Sequence, residues 1–296
     1  MRLKFRWIIS LPIAGLLLIL AALAQLPDDW RGSTRSGGRS MSGWSGGGGR
    51  RGGVPSRDSF PTWEINAGFK HDVFTFARIE FDSDGPFGWH DRWDNDYPDG
   101  DWNFSMRLQQ LTSLEVDPDG VVLRLTDPRL CDYPFVYFAG VQYMELNGEE
   151  RAAFQRYLLN GGYFMMDDLW GLQSLDNVLG IMRQVLPNAR PVELKLEHEI
   201  FHLVYDLKEL PQVTDYQTWS RGEKFEYMHA GANGDSAPHF LAYFDDDQRM
   251  VGIVCHNNDI GDGWEREGHH IEYFQQYALK YSYPFGINVV AYAMTH

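Results

Sequence analysis

The run PFVYFAGVQYMELNGEERAAFQRYLLNGGYFMMDDLWG, residues 134–171, decides how the rest of the chain is read. Phe135 to Ala139 is short, aromatic and β-branched, the composition of a buried strand. Asn147 stands three residues before Glu150, so the two side chains can cap each other's backbone amides and start a helix. Ala152, Ala153, Phe154, Tyr157, Leu158 and Leu159 then recur at helical spacing, and Gly161-Gly162 supplies a left-handed stop. Tyr163 to Met166 is a second apolar run ending in Asp167-Asp168. Two buried strands joined by one helix predict a parallel pair with a right-handed crossover. Ligands of open α/β sheets bind beyond the carboxyl ends of such strands, which is where Asp167, Asp168 and Trp170 fall.

Working outward, Val73–Phe81 reads as a strand that ends among Glu80, Asp82 and Asp84. The stretch from Trp89 to Trp102 is a loop dense in aromatics and acids: Trp89, His90, Trp93, Asp94, Asp96, Tyr97, Asp99, Asp101 and Trp102. Asp101 is placed to cap a helix over the following residues. Val121–Leu125 is a strand, 175–186 a helix closed by Pro187, and Val192–Leu196 a further strand. Residues 240–244 and 250–256 flank the turn Asp245-Asp246-Asp247-Gln248 as a hairpin. Residues 269–281 and 285–295 read as two helices separated by Pro284. Alternating strands and helices predict a three-layer α/β domain over 60–296, with a mostly parallel sheet, helices on both faces and an antiparallel edge hairpin.

Charge divides the chain. Arg2, Lys4 and Arg6 precede an apolar run from Trp7 to Ala24 that closes on Ala22-Leu23-Ala24. Residues 1–27 therefore read as a signal peptide, or as an uncleaved membrane anchor, since the run is just long enough to span a bilayer. Either reading exports the remainder, to the periplasm or to the outer side of an inner membrane. Residues 28–59 form a linker; Arg31–Arg57 alone holds ten Gly, six Ser and six Arg, too little apolar surface to fold. Residues 1–57 hold nine basic and two acidic side chains, leaving 17 basic and 39 acidic for the rest. A domain that acidic repels a phosphate backbone and excludes nucleic acid as a partner. The partner expected is a small ligand or an envelope protein, with membrane contact only through the N-terminal segment. Cys131 and Cys255 are too few for a disulfide framework, and Cys255, inside an apolar strand, reads as an inert thiol.

Seven stretches carry a family likeness: FTFARIEFDS (74–83), DWNFSMRLQQLT (101–112), LRLTDPRLCDYPFVYFAG (123–140), the run 147–168, HEIFHLVYDL (198–207), CHNNDIGDGWE (255–265) and PFGINVVAYAMTH (284–296). Together they resemble the bacterial family called domain of unknown function 4159. The helix–strand run also resembles glutamine-amidotransferase-like flavodoxin folds, trehalose-utilisation-type proteins included. The resemblance implies an amidotransferase-like, flavodoxin-like sheet and no established activity. Where working amidotransferases carry the nucleophilic Cys, this chain has Asp167, Asp168 and Leu169, so glutaminase chemistry is not expected.

Several constellations remain. Asp167 and Asp168 are read either as a general base or metal ligand, or as caps of the next helix; only one of the two is expected to face a crevice, because strand side chains alternate. His256, Asn257, Asn258 and Asp259, followed by Gly261, Asp262, Gly263 and Trp264, read as a polar patch with an aromatic wall. His198 and His202 satisfy the literal HExxH pattern and would share a face if helical, but strand-like flanks and Pro211 favour a structural or ligand-contacting role. His269-His270 reads as a helix start. The candidate catalytic residues are Asp168, His256 and Asp259, with Glu80 or Asp82 beside them in a hydrolase. The candidate ligand contacts are Asp82, Trp102, Asp167, Trp170, Asn257, Asn258 and Trp264; His198 and His202 are the metal candidates. No cofactor is named by the sequence. The leading reading is an exported ligand- or partner-binding domain; the alternatives are a carboxylate- and histidine-based, metal-assisted hydrolase, and a scaffold of an envelope complex.

Overall fold

A computed structural model describes residues 57–68, 72–83, 92–227 and 235–296, with Arg92 as backbone alone. The leader at 1–27 and the linker up to residue 56 lie outside these, as do Asp84, Trp89 and His90. Among the described residues no helix is long and apolar enough to cross a membrane.

Nine strands form in chain order: β1 (Ala77–Glu80), β2 (Asp82–Ser83), β3 (Val121–Arg124), β4 (Phe135–Phe138), β5 (Met144–Glu145), β6 (Tyr163–Leu169), β7 (Val192–Glu193), β8 (His239–Phe244) and β9 (Met250–His256). Seven of them make one sheet in the order β3-β1-β4-β6-β9-β8-β7, while β2 and β5 pair separately. The first five are parallel, and β8 and β7 each run antiparallel to their inner neighbour. Counting only the parallel strands, the order is 2-1-3-4-5, that of flavodoxin-like doubly wound sheets. The predicted hairpin is present, but it does not hang wholly on the edge. Its second arm, β9, is the fifth parallel strand, because its seven residues are all buried and suit a strand covered on both faces.

Alternation along the strands divides the core. Phe135, Tyr137, Tyr163 and Met165 face one side with Phe104, Trp264, Phe285 and Val289. Val136, Phe138, Phe164 and Met166 face the other with Phe154, Leu158, Val178 and Met182. Accordingly α1 (Asp99–Leu111), α5 (Ile260–Glu265) and the C-terminal helix cover the first face, and α2 (Gly148–Leu159) and α3 (Gly171–Val185) cover the second. A short α4 (Tyr216–Ser220) precedes α5. Each fully buried large apolar side chain contributes about 1.5–3 kcal/mol.

The crossover unit forms as its residues require. Asn147 Oδ1 accepts from the amides of Glu149 and Glu150 at 2.9 and 3.0 Å, and Glu150 Oε2 accepts from the Asn147 amide at 2.9 Å. Gly161 takes φ 101° at the stop, where a side chain would be strained.

Three expectations change. Asp101 does not cap α1; it lies in its first turn, behind Pro98, and its carboxylate is drawn to a buried arginine. Val192–Leu196 shortens to two strand residues, exposed on a sheet edge. Pro284 does not separate two helices. Helix α6 (Ile271–Tyr273) runs through a π-helical stretch, Phe274–Ser282, into α7 (Tyr283–Thr295) without a break. The wide turns just before Pro284 accommodate its missing amide and its ring.

The buried arginine is Arg78, central in β1. Its Nε donates to Asp101 Oδ1 and Oδ2 at 3.1 and 3.0 Å, and Nη2 donates to Oδ1 at 2.5 Å. Nη1 donates to the carbonyls of Trp93 and Asn95, both at 2.9 Å. One guanidinium thus ties the sheet to α1 and to the loop before it. Removing it leaves the sealed-in Asp101 carboxyl without its counter-charge and donors, so Arg78→Met is expected to destabilise the protein by about 3–5 kcal/mol in urea unfolding, with the double variant R78M/D101L recovering a large part. Equal losses in the single and the double variant would show that the pairing is not what holds α1.

Candidate metal centre

The carboxyl edge of the sheet gathers acids. Strand β6 continues past Met166 through both aspartates, with a register shift against β9 between Met166 and Leu169 and φ 50° at Asp168. A bulge of this kind re-aims side chains that simple alternation would send to opposite faces. Both carboxylates consequently stay buried at one edge of the sheet. Neither caps the following helix: the cap position of α3 is Trp170, and the Gly171 amide donates instead to Asn257 Oδ1 at 3.1 Å.

Asp167 Oδ2 accepts from Tyr137 Oη at 3.1 Å and from the Gly261 amide at 2.9 Å, while its buried Oδ1 has no hydrogen-bond partner among the described residues. Burial is the main reason its pKa rises to about 7; Asp168 adds to the rise and the Gly261 amide opposes it. Asp168 Oδ2 accepts from Asn95 Nδ2 at 2.7 Å, so the loop that Arg78 anchors also orients this carboxylate.

Two further acids meet Asp168. Glu226 Oε1 accepts from the Asp215 amide at 2.8 Å and from Thr214 Oγ1 at 3.4 Å. Asp259 caps α5, its Oδ1 accepting from the Asp262 amide at 3.1 Å. Asp168, Glu226 and Asp259 are all buried, and one oxygen of each lies within 4.8 Å of the others. Burial first, then the charges of Asp96, Asp168, Asp262 and Glu226, hold Asp259 far above the usual carboxylate range. Glu226 is raised in the same way, by burial and then by Asp215 and Asp168. A second set, Asp96, Asp262 and Glu265, meets the same 4.8 Å condition. Carboxylates so arranged are oxygen donors for a hard divalent cation, and in the first set a neighbouring donor holds each of them: Asn95 for Asp168, the Asp215 amide for Glu226 and the Asp262 amide for Asp259.

Of the candidate catalytic residues, Asp168 and Asp259 come together and His256 belongs to neither set. His256 Nε2 lies 3.1 Å from the Gly171 carbonyl, and its ring stacks on His239 at 5.6 Å. Asn257 and Asn258 are clamps. Asn257 Nδ2 donates to the carbonyls of Asp235 and Ala237, and Asn258 bonds Pro211 and Val213. Trp170 packs on Phe225, and Trp264 on Phe104 and Tyr137, as core. Asp82 pairs with Arg124, as does Glu80, and Trp102 donates to the Asp119 carbonyl beside Arg57; none of these joins the acidic edge. His198 and His202 flank a single 3-10 turn, Glu199–Phe201, and share no helix. His202 is held between Asp206 and the Leu196 carbonyl, and His198 Nδ1 accepts from the Ile200 amide. Cys131 is exposed, Cys255 is buried, and both are free thiols.

The sequence places Asp262 in the polar patch that follows His256, but it gives Asp96 and Glu265 no site role and does not mark Glu226 at all. The acid density of 94–101 and 259–267 was the available signal for the first three. Glu226 carries none, since nothing local in Lys224-Phe225-Glu226 announces burial.

Comparison with protein families matches residues 75–294 to the family described as Domain of unknown function (DUF4159). No curated protein matches the chain.

The electrostatics set a pH dependence. Carboxyl groups with raised pKa bind protons in the native state that the unfolded chain has already released, so stability falls as pH rises through the folded values. Histidines held below 6.5 act in the opposite sense, but only below that pH. The clear window therefore lies above pH 6.5 and covers Asp167 at about 7 and Glu265 at about 8. In chelator, the melting temperature is expected to drop steadily from pH 6.5 to 8.5; a flat or rising profile would contradict the burial of these acids.

Proposed function

Since the chain belongs to the DUF4159 family, described only as a domain of unknown function, we propose from the acidic edge itself that it is a divalent-cation-binding domain, with Asp168, Glu226 and Asp259 as the ligands. The observation that carries this reading is Asp259. It is 2% exposed, and its charged neighbours are the acids Asp96, Asp168, Asp262 and Glu226. Charges of one sign brought together out of water must take up protons or a cation. An all-oxygen set suits Ca²⁺, Mg²⁺ or Mn²⁺ and not the softer metals that thiolates select. The basic-flanked apolar run from Trp7 to Ala24 supports placing this domain outside the cytoplasm, where it would serve a ligand or partner of the envelope.

Titrating chelator-treated protein with each of the three cations tests this. The cation that binds is expected to raise the melting temperature, by the equivalent of about 2.7 kcal/mol at a hundredfold excess over its Kd. Asp259→Asn is expected to abolish the rise while melting no lower than the metal-free parent. If no cation moves the parent's melting temperature and elemental analysis finds none bound, the reading fails.

Metal-assisted hydrolysis is a second reading, favoured by one observation. Asp167 adjoins Asp168, and its buried Oδ1 has no hydrogen-bond partner among the described residues; a cation held by Asp168, Glu226 and Asp259 would supply an activated water, and Asp167 would be the residue placed to accept its proton. Screening simple carboxylic and phosphoric esters with the bound cation would test it. Any turnover is expected to fall 10²–10⁴-fold in Asp167→Asn, with cation affinity kept. Full turnover in that variant would remove Asp167 from the chemistry.

A further inference from the structure

The second acid set has a different makeup from the first. Asp96 comes from the loop that Arg78 ties down, and Asp262 and Glu265 lie one turn apart on α5. Asp262 is held from two sides: Oδ2 accepts from Tyr273 Oη at 2.5 Å and from the Tyr216 amide at 3.0 Å. Arg266 Nε reaches Glu265 Oε2 at 2.8 Å and Asp262 Oδ1 at 3.4 Å. Arg266 thus pairs with two of the three carboxylates.

The third is Asp96, whose nearby positive charge, Arg78, spends its hydrogen bonds on Asp101 and on the Trp93 and Asn95 carbonyls. The residue is 8% exposed, takes φ 61°, and its Oδ2 is sealed from solvent with no hydrogen-bond partner among the described residues. A buried carboxylate oxygen with no donor is costly whether the group is ionised or protonated at that atom. The backbone makes room for it. Gly261 faces Asp96, and a Cβ there would stand 2.6 Å from Asp96 Oδ2 and 2.6 Å from Tyr137 Oη. Asp96 is also within electrostatic reach of Asp168 and Asp259, so the two sets are neighbours.

We infer that Asp96, Asp262 and Glu265 bind a second hard divalent cation beside the first, making the acidic edge a two-cation centre. This rests on the cation-binding reading of Asp168, Glu226 and Asp259 and extends it. The orphaned Asp96 oxygen is the donor the second ion takes, Glu265 is the second, and Asp262 is the ligand fixed by its tyrosine contacts. Two adjacent cations can clamp an anionic oxygen between them, so the ligand class such a centre takes is a phosphate or carboxylate group.

Equilibrium dialysis of the purified chain against Mn²⁺, with electron paramagnetic resonance of the bound ions, tests the inference. The expected result is two Mn²⁺ per chain with a spin-coupled spectrum. Asp96→Asn, which keeps side-chain volume, is expected to retain one Mn²⁺ with the spectrum of an isolated ion, and Glu265→Gln to behave likewise. One Mn²⁺ per chain in both parent and Asp96→Asn would overturn the second ion and leave the first site standing. No bound Mn²⁺, Ca²⁺ or Mg²⁺ in the parent would overturn both. Loss of both ions in Asp96→Asn, with an unchanged metal-free melting temperature, would show that Asp96 serves both ions and would overturn its assignment to a separate second site.

Discussion

The Arg78 guanidinium is the constraint on which the acidic edge depends. A fully buried charge is retained only if its partners are fixed around it, and Arg78 fixes three: the Asp101 carboxylate and the carbonyls of Trp93 and Asn95. The first contact seats α1 on the sheet. The other two hold the segment that presents Asn95 to Asp168 and places Asp96 opposite Gly261. Without that anchor a short loop rich in acids would have little reason to turn inward, toward other acids.

The sheet supplies the second half of the arrangement. Parallel strands end together, and at the ends of β6 and β9 the chain takes left-handed turns at Asp168 and Asn257. Those turns bring the chain of β6 and the chain after β9 into contact: the Asn257 amide donates to the Leu169 carbonyl at 2.7 Å, and the Leu169 amide to that of Asn258 at 3.2 Å. Asn257 and Asn258 then spend their side chains on neighbouring backbone, which leaves Asp259 as the group turned toward Asp168. Backbone strain at such positions is typical of sites where a side chain must be aimed against the local preference.

The acids at this edge are a liability for folding that a bound cation would turn to use. Burial and mutual repulsion push the pKa values of Asp96, Asp259 and Glu226 up, and a cation relieves both penalties at once. A cation bound here would couple its occupancy to stability, since it would bind the folded arrangement and not the dispersed unfolded chain. The family match covers the whole of this edge, from Asp96 to Glu265.

What could be read from residue order alone was whatever local chemistry dictates. The Asn147–Glu150 capping box, the crossover helix, the apolar strands and the parallel sheet follow from spacing and composition, because each depends on neighbours within a few residues. The position of Asp167, Asp168 and Asp259 at strand ends followed from the same pattern and from the geometry of parallel sheets. Tertiary structure decided the rest. It turned Asp101 from a helix cap into the partner of a buried arginine, carried the last helix through Pro284, and put both consecutive aspartates at one edge through a bulge. It also chose Glu226 and Asp96 as neighbours of Asp168 while leaving His256 among other contacts. The meeting of Asp96 and Glu226 with Asp168 depends on packing between segments more than fifty residues apart, and no local pattern of residues encodes which buried acids will meet.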